Sequence, residues 1–274
     1  MNEETVTTEQ IEEMIAEILT SSKYRDLSIP HATLLDLFRQ ELPNHKRTKE
    51  LKQAVKTKLH RIIAPYLGDP DYNQAAIDLD NAAKNGEQAF YSFCHEMLAS
   101  HASTRERLPI MEHFYEQIFN QTGMPATILD LACGLNPFSL PWMHLPPSSS
   151  YYAFDLHQPR VSLINRFLKH MQRPELAVCS DILVDPPQVG ADVAFFFKEA
   201  HRFEQRQRGS NRSFWLSLPV KTLVVSLPSI SLSGRHDKIS QHQRLVVDAI
   251  GNFDWPMTEI RIGSELIFII NKAV

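Results

Sequence analysis

Apolar residues return at helical spacing through the first part of the chain: Ile11, Ile15 and Ile18, then Leu34, Leu35 and Phe38, then Leu51, Val55, Leu59 and Ile62. Steps of three and four residues put such positions on one side of an α-helix, so residues 8–120 read as helices alone. Ser28-Ile29-Pro30, Leu42-Pro43-Asn44 and Gly68-Asp69-Pro70 punctuate the pattern as helix boundaries, with Ser28 and Thr33 as possible caps. After Met124-Pro125 the texture changes. Short apolar runs alternate with helical stretches, the pattern of a parallel sheet with crossover helices. Strands are predicted over 127–132, 151–155, 176–180, 192–197, 222–227, 258–262 and 266–271, and helices over 138–144, 158–171, 198–208 and 238–251. Only Gly263-Ser264-Glu265 separates the last two strands, which makes them an antiparallel hairpin. The expected fold is α/β: a Rossmann-like domain over 121–274, preceded by an all-helical domain over 1–120.

Composition narrows the class. With 43% hydrophobic residues the chain holds no apolar run near the roughly 20 needed to cross a bilayer, and Met1 to Gln10 is polar and acidic. A cytoplasmic protein with no membrane partner is expected. Cys94, Cys133 and Cys179 are odd in number, far apart and without ligand spacing, which suits a reducing compartment, and the 12 histidines form no metal-binding cluster. No metal site is expected. The net charge of −4 conceals an uneven distribution. Glu3, Glu4, Glu9, Glu12, Glu13 and Glu17 crowd the start. Lys23, Arg25, Arg39, Lys46, Arg47, Lys49, Lys52, Lys56, Lys58 and Arg61 then outnumber Asp26, Asp36, Glu41 and Glu50. An acidic total therefore leaves room for a local basic surface.

The chemistry concentrates in Ile128-Leu129-Asp130-Leu131-Ala132-Cys133-Gly134-Leu135-Asn136-Pro137. An apolar strand ending in an acid and a tight glycine turn is how nucleoside cofactors are seated at the mouth of an α/β sheet. Asp155 ends the second predicted strand, where a carboxylate accepts both ribose hydroxyls, and Asp181 follows the third, where it or its neighbour meets an adenine. Any one of them alone is an ordinary turn residue; three successive strands with an acid at the same end point to a site. A dinucleotide would want a glycine trio beneath its pyrophosphate, whereas here Asn136-Pro137 closes the turn. S-adenosylmethionine carries no phosphate, but its carboxylate needs a cation. Arg107, just upstream of the first strand, is either that cation or a surface charge.

Taken together these residues resemble the aminoglycoside-resistance 16S ribosomal RNA methyltransferases, which methylate N7 of a decoding-site guanosine. The marks run over nearly the whole chain: Ser22-Lys23-Tyr24-Arg25 with Pro30, Lys56-Thr57-Lys58-Leu59-His60, Ser103-Thr104-Arg105-Glu106-Arg107, the Asp130 to Pro137 turn, Asp155-Leu156-His157 and the Lys198 segment. The resemblance implies a class I S-adenosylmethionine-dependent methyltransferase domain with a helical RNA-docking domain, acting as a monomer on 16S rRNA within the 30S subunit. It implies Arg107 at the methionine carboxylate and Gly134 beneath the methionine chain, with Ala132 in the same turn. Asp155 with Leu156 is implied at the ribose, and Asp181 with Ile182 at the adenine. Lys49, Lys52 and Lys56, at i, i+3 and i+7, then become an RNA-facing ridge continued by Lys58 and Arg61. A second ridge, Lys198, Arg202 and Arg206, starts at the end of the fourth strand, with Lys198 positioning the target nucleotide and the arginines gripping RNA backbone. Phe214 and Trp215 read either as a stacking platform or as core beside Leu216 and Leu218. Ile230 stands where the family carries a basic residue after the fifth strand, and Arg235 is the candidate replacement. Guanine N7 has a lone pair and no proton, so no catalytic base is expected.

Overall fold

The computed structural model describes residues 6–64, 69–229 and 237–272. Three helices, α1 (Thr8–Thr20), α2 (His31–Glu41) and α3 (Thr48–Ile63), close around a core of their own. A capping box starts α1: the Thr7 hydroxyl accepts from the Gln10 backbone N–H while the Gln10 side chain accepts from the Thr7 N–H. Ile11, Ile15, Ile18, Leu34, Phe38, Leu51, Val55 and Leu59 fill the core as their spacing predicts. Leu35 and Ile62 sit at its rim, and Leu37 and Ile63 take the inner positions instead.

The next helices are α4 (Tyr72–Lys84), α5 (Glu87–Ser100), the single turn α6 (Ala102–Arg105) and α7 (Met111–Thr122). They bury Leu79, Phe93, Leu98, Phe114 and Ile118 in the core that covers one face of the sheet. The helices expected over 1–120 thus contribute to two cores. A self-contained module ends at Ile63, while 72–122 is built into the α/β unit. The reason is aromatic: Phe93 packs edge-on to Phe138, Phe114 edge-on to Phe197, and Tyr115 and Phe119 lie against Phe195.

The sheet comprises β1 (Thr127–Leu131), β2 (Ser150–Asp155), β3 (Ala177–Cys179), β4 (Ala191–Phe197), β5 (Val220–Pro228), β6 (Met257–Ile262) and β7 (Glu265–Asn271). Their order is β3-β2-β1-β4-β5-β7-β6, with β7 antiparallel to both neighbours and the other pairs parallel. Strand order reverses between β1 and β4, the place where open α/β sheets hold ligands beyond their carboxyl ends. The predicted helix over 138–144 is a 3-10 turn, Asn136–Ser139, followed by one turn of helix, α8 (Leu140–Met143). Helix α9 (Gln158–His170) joins α4, α5 and α7 on one face; α10 (Ala200–Arg206), α11 (Ser210–Ser217) and α12 (Asp237–Ile250) cover the other. The predicted helix over 198–208 starts late because Lys198 is left-handed at φ +59°, and Gly209 at φ +78° separates it from α11. On that extra helix Phe214 and Trp215 are fully buried, so they are core and not a stacking surface.

Candidate functional site

The turn after β1 holds two left-handed residues, Ala132 at φ +51° and Gly134 at φ +55°. Glycine takes this conformation freely; for alanine it costs about 1–2 kcal/mol, held here by the turn's own bonds. The Cys133 N–H donates to the Phe154 carbonyl at 2.8 Å and the Gly134 N–H to Asp155 Oδ2 at 2.9 Å. A side-chain carbon on Gly134 would have only Arg160 Nη1 within 4 Å, at 3.9 Å, so the backbone there borders open space. Asp130 lies beneath the turn and organises it. It accepts from the Tyr151 hydroxyl at 2.5 Å and from Asn136 Nδ2 at 3.0 Å. Burial pushes its carboxyl up to about 7, against the opposing hydrogen bonds and the charge of Arg107.

Asp155 is 3% exposed at the end of β2. Its Oδ2 also accepts from Arg160 Nη1 at 2.9 Å, and its Oδ1 accepts from the His157 N–H at 2.9 Å. A carboxylate offers about four acceptor positions, so room remains for one ribose hydroxyl; accepting both requires Arg160 to yield. The sequence reading passed over Arg160. Its signal was a charge on the apolar side of α9, among Val161, Ile164 and Phe167. The guanidinium also reaches Asp69 Oδ2 at 2.5 Å and the Tyr72 hydroxyl at 2.9 Å. Burial raises the Asp69 carboxyl, but His157, Arg160 and Tyr72 more than offset it and hold it below the usual range. Leu156 is half-buried, its carbonyl accepting from the Cys179 thiol; Asp181 and Ile182 are buried past the end of β3.

The predicted cations are mostly committed elsewhere. Arg107 is 3% exposed, lying between the rings of Phe114 and Phe197 at 4.5 and 4.3 Å. Its Nε and Nη2 each reach Glu265 at 2.7 Å, Nη2 also donates to Ser226 at 3.2 Å and Nη1 to Asn136 at 3.1 Å. The carboxylate that Arg107 holds is therefore that of Glu265, at the head of β7, which the sequence reading saw only as part of a turn. One of its five N–H groups stays unassigned. Lys198 Nζ is bound to Glu106 at 2.7 Å, Glu265 at 3.2 Å and the Ser103 carbonyl at 3.3 Å, so it fastens the 103–107 segment to the end of β4 rather than standing free. Arg206 does not face solvent beside Arg202. Its guanidinium joins Asp181 at 2.8 Å to Asp36 of α2 at 3.1 Å. Arg202 is exposed and pairs with Glu199 at 3.2 Å. The second ridge is broken because helix α10 begins only at Ala200, beyond Lys198, and because Asp181 and Asp36 draw Arg206 away.

On α3 the outcome is mixed. Lys52 is bonded to Glu17, and Lys58 to Glu41 and, at 3.2 Å, to Gln40, so both tie the module together. Lys49 and Arg61 are exposed, and among the described residues neither they nor Lys56 pair with a carboxylate. Lys56, His60 and Arg61 line a shallow concavity of about 390 Å³ with Lys23 and Tyr24. The unopposed basic surface is thus this groove and Lys49. Ile230 and Arg235 lie outside the described residues.

A family model described as "Ribosomal RNA methyltransferase (FmrO)" matches residues 20–269. The chain belongs to this ribosomal RNA methyltransferase family. It is 30% identical over 263 residues to the 16S rRNA (guanine(1405)-N(7))-methyltransferase of Serratia marcescens, covering 96% of this chain and 98% of that one. To the enzyme of the same name from Proteus mirabilis it is 28% identical over 279 residues, covering 96% and 97%. Among solved structures it resembles the 16S rRNA methylase RmtB, with a TM-score of 0.77, 27% identity and coverage of 96% and 98%. The 16S rRNA methyltransferase RmtF, solved in complex with S-adenosyl-L-homocysteine, superposes with a TM-score of 0.79 at 25% identity, covering 98% and 100%.

The residues of this methyltransferase fit a phosphate-free nucleoside cofactor. Open space lies over Gly134, Asp155 keeps one acceptor position, and Asp181 is buried past the end of the adjacent strand β3. The stretch where a dinucleotide would place pyrophosphate, Asn136–Ser139, is entirely buried. Among the described residues no group of His, Cys, Asp and Glu could hold a metal ion.

Proposed function

We propose that this enzyme transfers the methyl group of S-adenosylmethionine to N7 of guanosine 1405 in the 16S rRNA of the 30S subunit, and so protects the ribosome from aminoglycosides. One observation carries the reading. Asp155 ends β2 and Asp181 follows the adjacent β3, both buried, and Gly134, bonded to Asp155, borders open space, in a chain that aligns over 96% of its length with enzymes of that name. When bound, S-adenosylmethionine supplies an electrophilic methyl group on its sulfonium. Asp155 accepts a ribose hydroxyl, Asp181 and Ile182 take the adenine, and Ala132, Gly134 and Leu156 line the space between. The free N–H of Arg107 is the donor left for the methionine carboxylate.

Guanine N7 attacks with its own lone pair, so no proton has to be removed and the chain contributes alignment and exclusion of water. Lys198 serves by holding the 103–107 segment over the end of β4. Lys23, Lys49, Lys56 and Arg61 meet phosphates of the folded subunit and read its shape. No described helix is long and apolar enough to cross a membrane; the protein acts as a cytoplasmic monomer on assembled subunits.

The test is methyl transfer from labelled S-adenosylmethionine to purified 30S subunits, followed by borohydride and aniline treatment and reverse transcription. Strand scission at guanosine 1405 is the expected result. Label at another nucleotide, or none despite cofactor binding, would overturn the assignment of target.

A further inference from the structure

Two arginines, Arg160 buried and Arg206 nearly so, make the same kind of connection. Arg160 lies between Asp155, at 2.9 Å, and Asp69, at 2.5 Å. Arg206 lies between Asp181, at 2.8 Å, and Asp36, at 3.1 Å. In each case one carboxylate belongs to the cofactor end of the sheet. The other comes from earlier in the chain: Asp69 just ahead of α4, and Asp36 in α2 of the self-contained module. The module also approaches Asp181 directly, since Pro30 and Ala32 wall a cavity of about 310 Å³ whose other side is Cys179, Ser180 and Asp181. A guanidinium is a rigid planar fork of donors, so displacing the carboxylate at one prong re-aims the one at the other. Both forks are 10% exposed or less, where leaving a charge unpartnered is costly.

We infer that Arg160 and Arg206 are positioning residues of the cofactor site, and that through them Asp69 and Asp36 set the aim of Asp155 and Asp181. Cofactor affinity then depends on how the N-terminal helices sit against the sheet. The inference rests on the proposed cofactor site. By linkage, any contact that shifts α2 changes cofactor affinity by the factor with which the cofactor changes that contact. RNA docking on the neighbouring basic groove is such a contact.

The experiment is calorimetric titration of the full-length chain and its Asp69→Asn, Asp36→Asn and Arg160→Lys variants with S-adenosylhomocysteine, paired with steady-state methylation of 30S subunits. Neither Asp69 nor Asp36 is assigned a cofactor contact. Each Asn variant is expected to weaken S-adenosylhomocysteine about 5- to 20-fold. The KM for S-adenosylmethionine should rise in step while kcat stays within about twofold, and Arg160→Lys, keeping the charge without the fork, should weaken binding at least as much as Asp69→Asn. Asp36 is 27% exposed against 5% for Asp69, so Asp36→Asn carries the test if Asp69→Asn fails to fold. Wild-type binding with unchanged affinity in the Asn variants would overturn the inference, as would a loss confined to kcat. Wild-type protein that binds no S-adenosylhomocysteine would overturn the cofactor site and this inference with it.

Discussion

The two parts of the molecule use their cations in opposite ways. In the α/β part, Arg107 and Arg160 are buried and Arg206 is nearly so, and each is matched to at least one carboxylate, Glu265, Asp155 with Asp69, and Asp181 with Asp36. On α3, among the described residues, Lys49 and Arg61 stay exposed without a carboxylate partner, whereas Lys52 and Lys58 are tied down. A buried guanidinium needs a partner because desolvation otherwise exceeds any gain, so it works as a fixed strut. An exposed ammonium keeps its hydration and its long-range field until a polyanion displaces its counterions. Sequence position alone does not separate these roles; burial does.

The sharpest way to break the comparison is to remove one strut. Arg107→Met leaves Glu265 buried without its bidentate partner and is expected to cost about 3–5 kcal/mol in urea unfolding. Replacing both members, Arg107→Met with Glu265→Leu, should recover part of that loss. A single variant as stable as wild type would mean that Arg107 is not a strut. Next in size is Asp155→Ala, which removes the ribose acceptor and takes one of its two carboxylates from Arg160. It is expected to weaken S-adenosylhomocysteine about 100-fold by calorimetry, and affinity unchanged within twofold would take Asp155 out of the site.

The contrasting surface should respond to salt instead. Reversal of Lys49, Lys56 and Arg61 to Glu is expected to weaken 30S binding about 10- to 100-fold at low salt and to lower the slope of log K against log salt by about 2 to 3, leaving cofactor affinity intact. Lys52→Gln with Lys58→Gln removes the same kind of charge from pairs with Glu17 and Glu41, so its smaller effect should fall on module stability. Equal losses of 30S binding from both sets would erase the distinction between paired and unopposed lysines.

The sheet was legible because each strand is a short apolar run with turn residues at both ends, and all seven predicted strands lie within one or two residues of the observed ones. Asp130, Gly134, Asp155 and Asp181 stand where the predicted strands put them, because a residue at or just past the end of a parallel strand has its place fixed by the strand. For Arg107, Lys198 and Arg206 the sequence shows the residues without the carboxylates they bind. Their partners Glu265, Glu106 and Asp36 lie 158, 92 and 170 positions away, and no local pattern reports such pairings. The division of the helical half had a different cause. Both sets of helices are amphipathic, and periodicity says that a face is buried without saying against what.

The smallest expected effect lies beneath the cofactor turn. Asp130 is an acid whose pKa folding raises, to about 7, chiefly through burial. Such a group contributes stability that is fully present below its unfolded pKa of about 4 and is lost as pH rises through 7. Asp130→Asn keeps the shape and cannot ionise. Between pH 5.5 and pH 8 the wild-type melting temperature should therefore fall about 5 °C further than that of the variant. Glu199, also raised to about 7 by burial, has the same sign but is present in both proteins, so the difference between the two curves reports Asp130 alone. Parallel curves would mean that Asp130 stays ionised, with the hydrogen bonds from Tyr151 and Asn136 outweighing burial. The turn would then rest on a fixed negative charge, and Arg107 would be its compensating cation as well as that of Glu265.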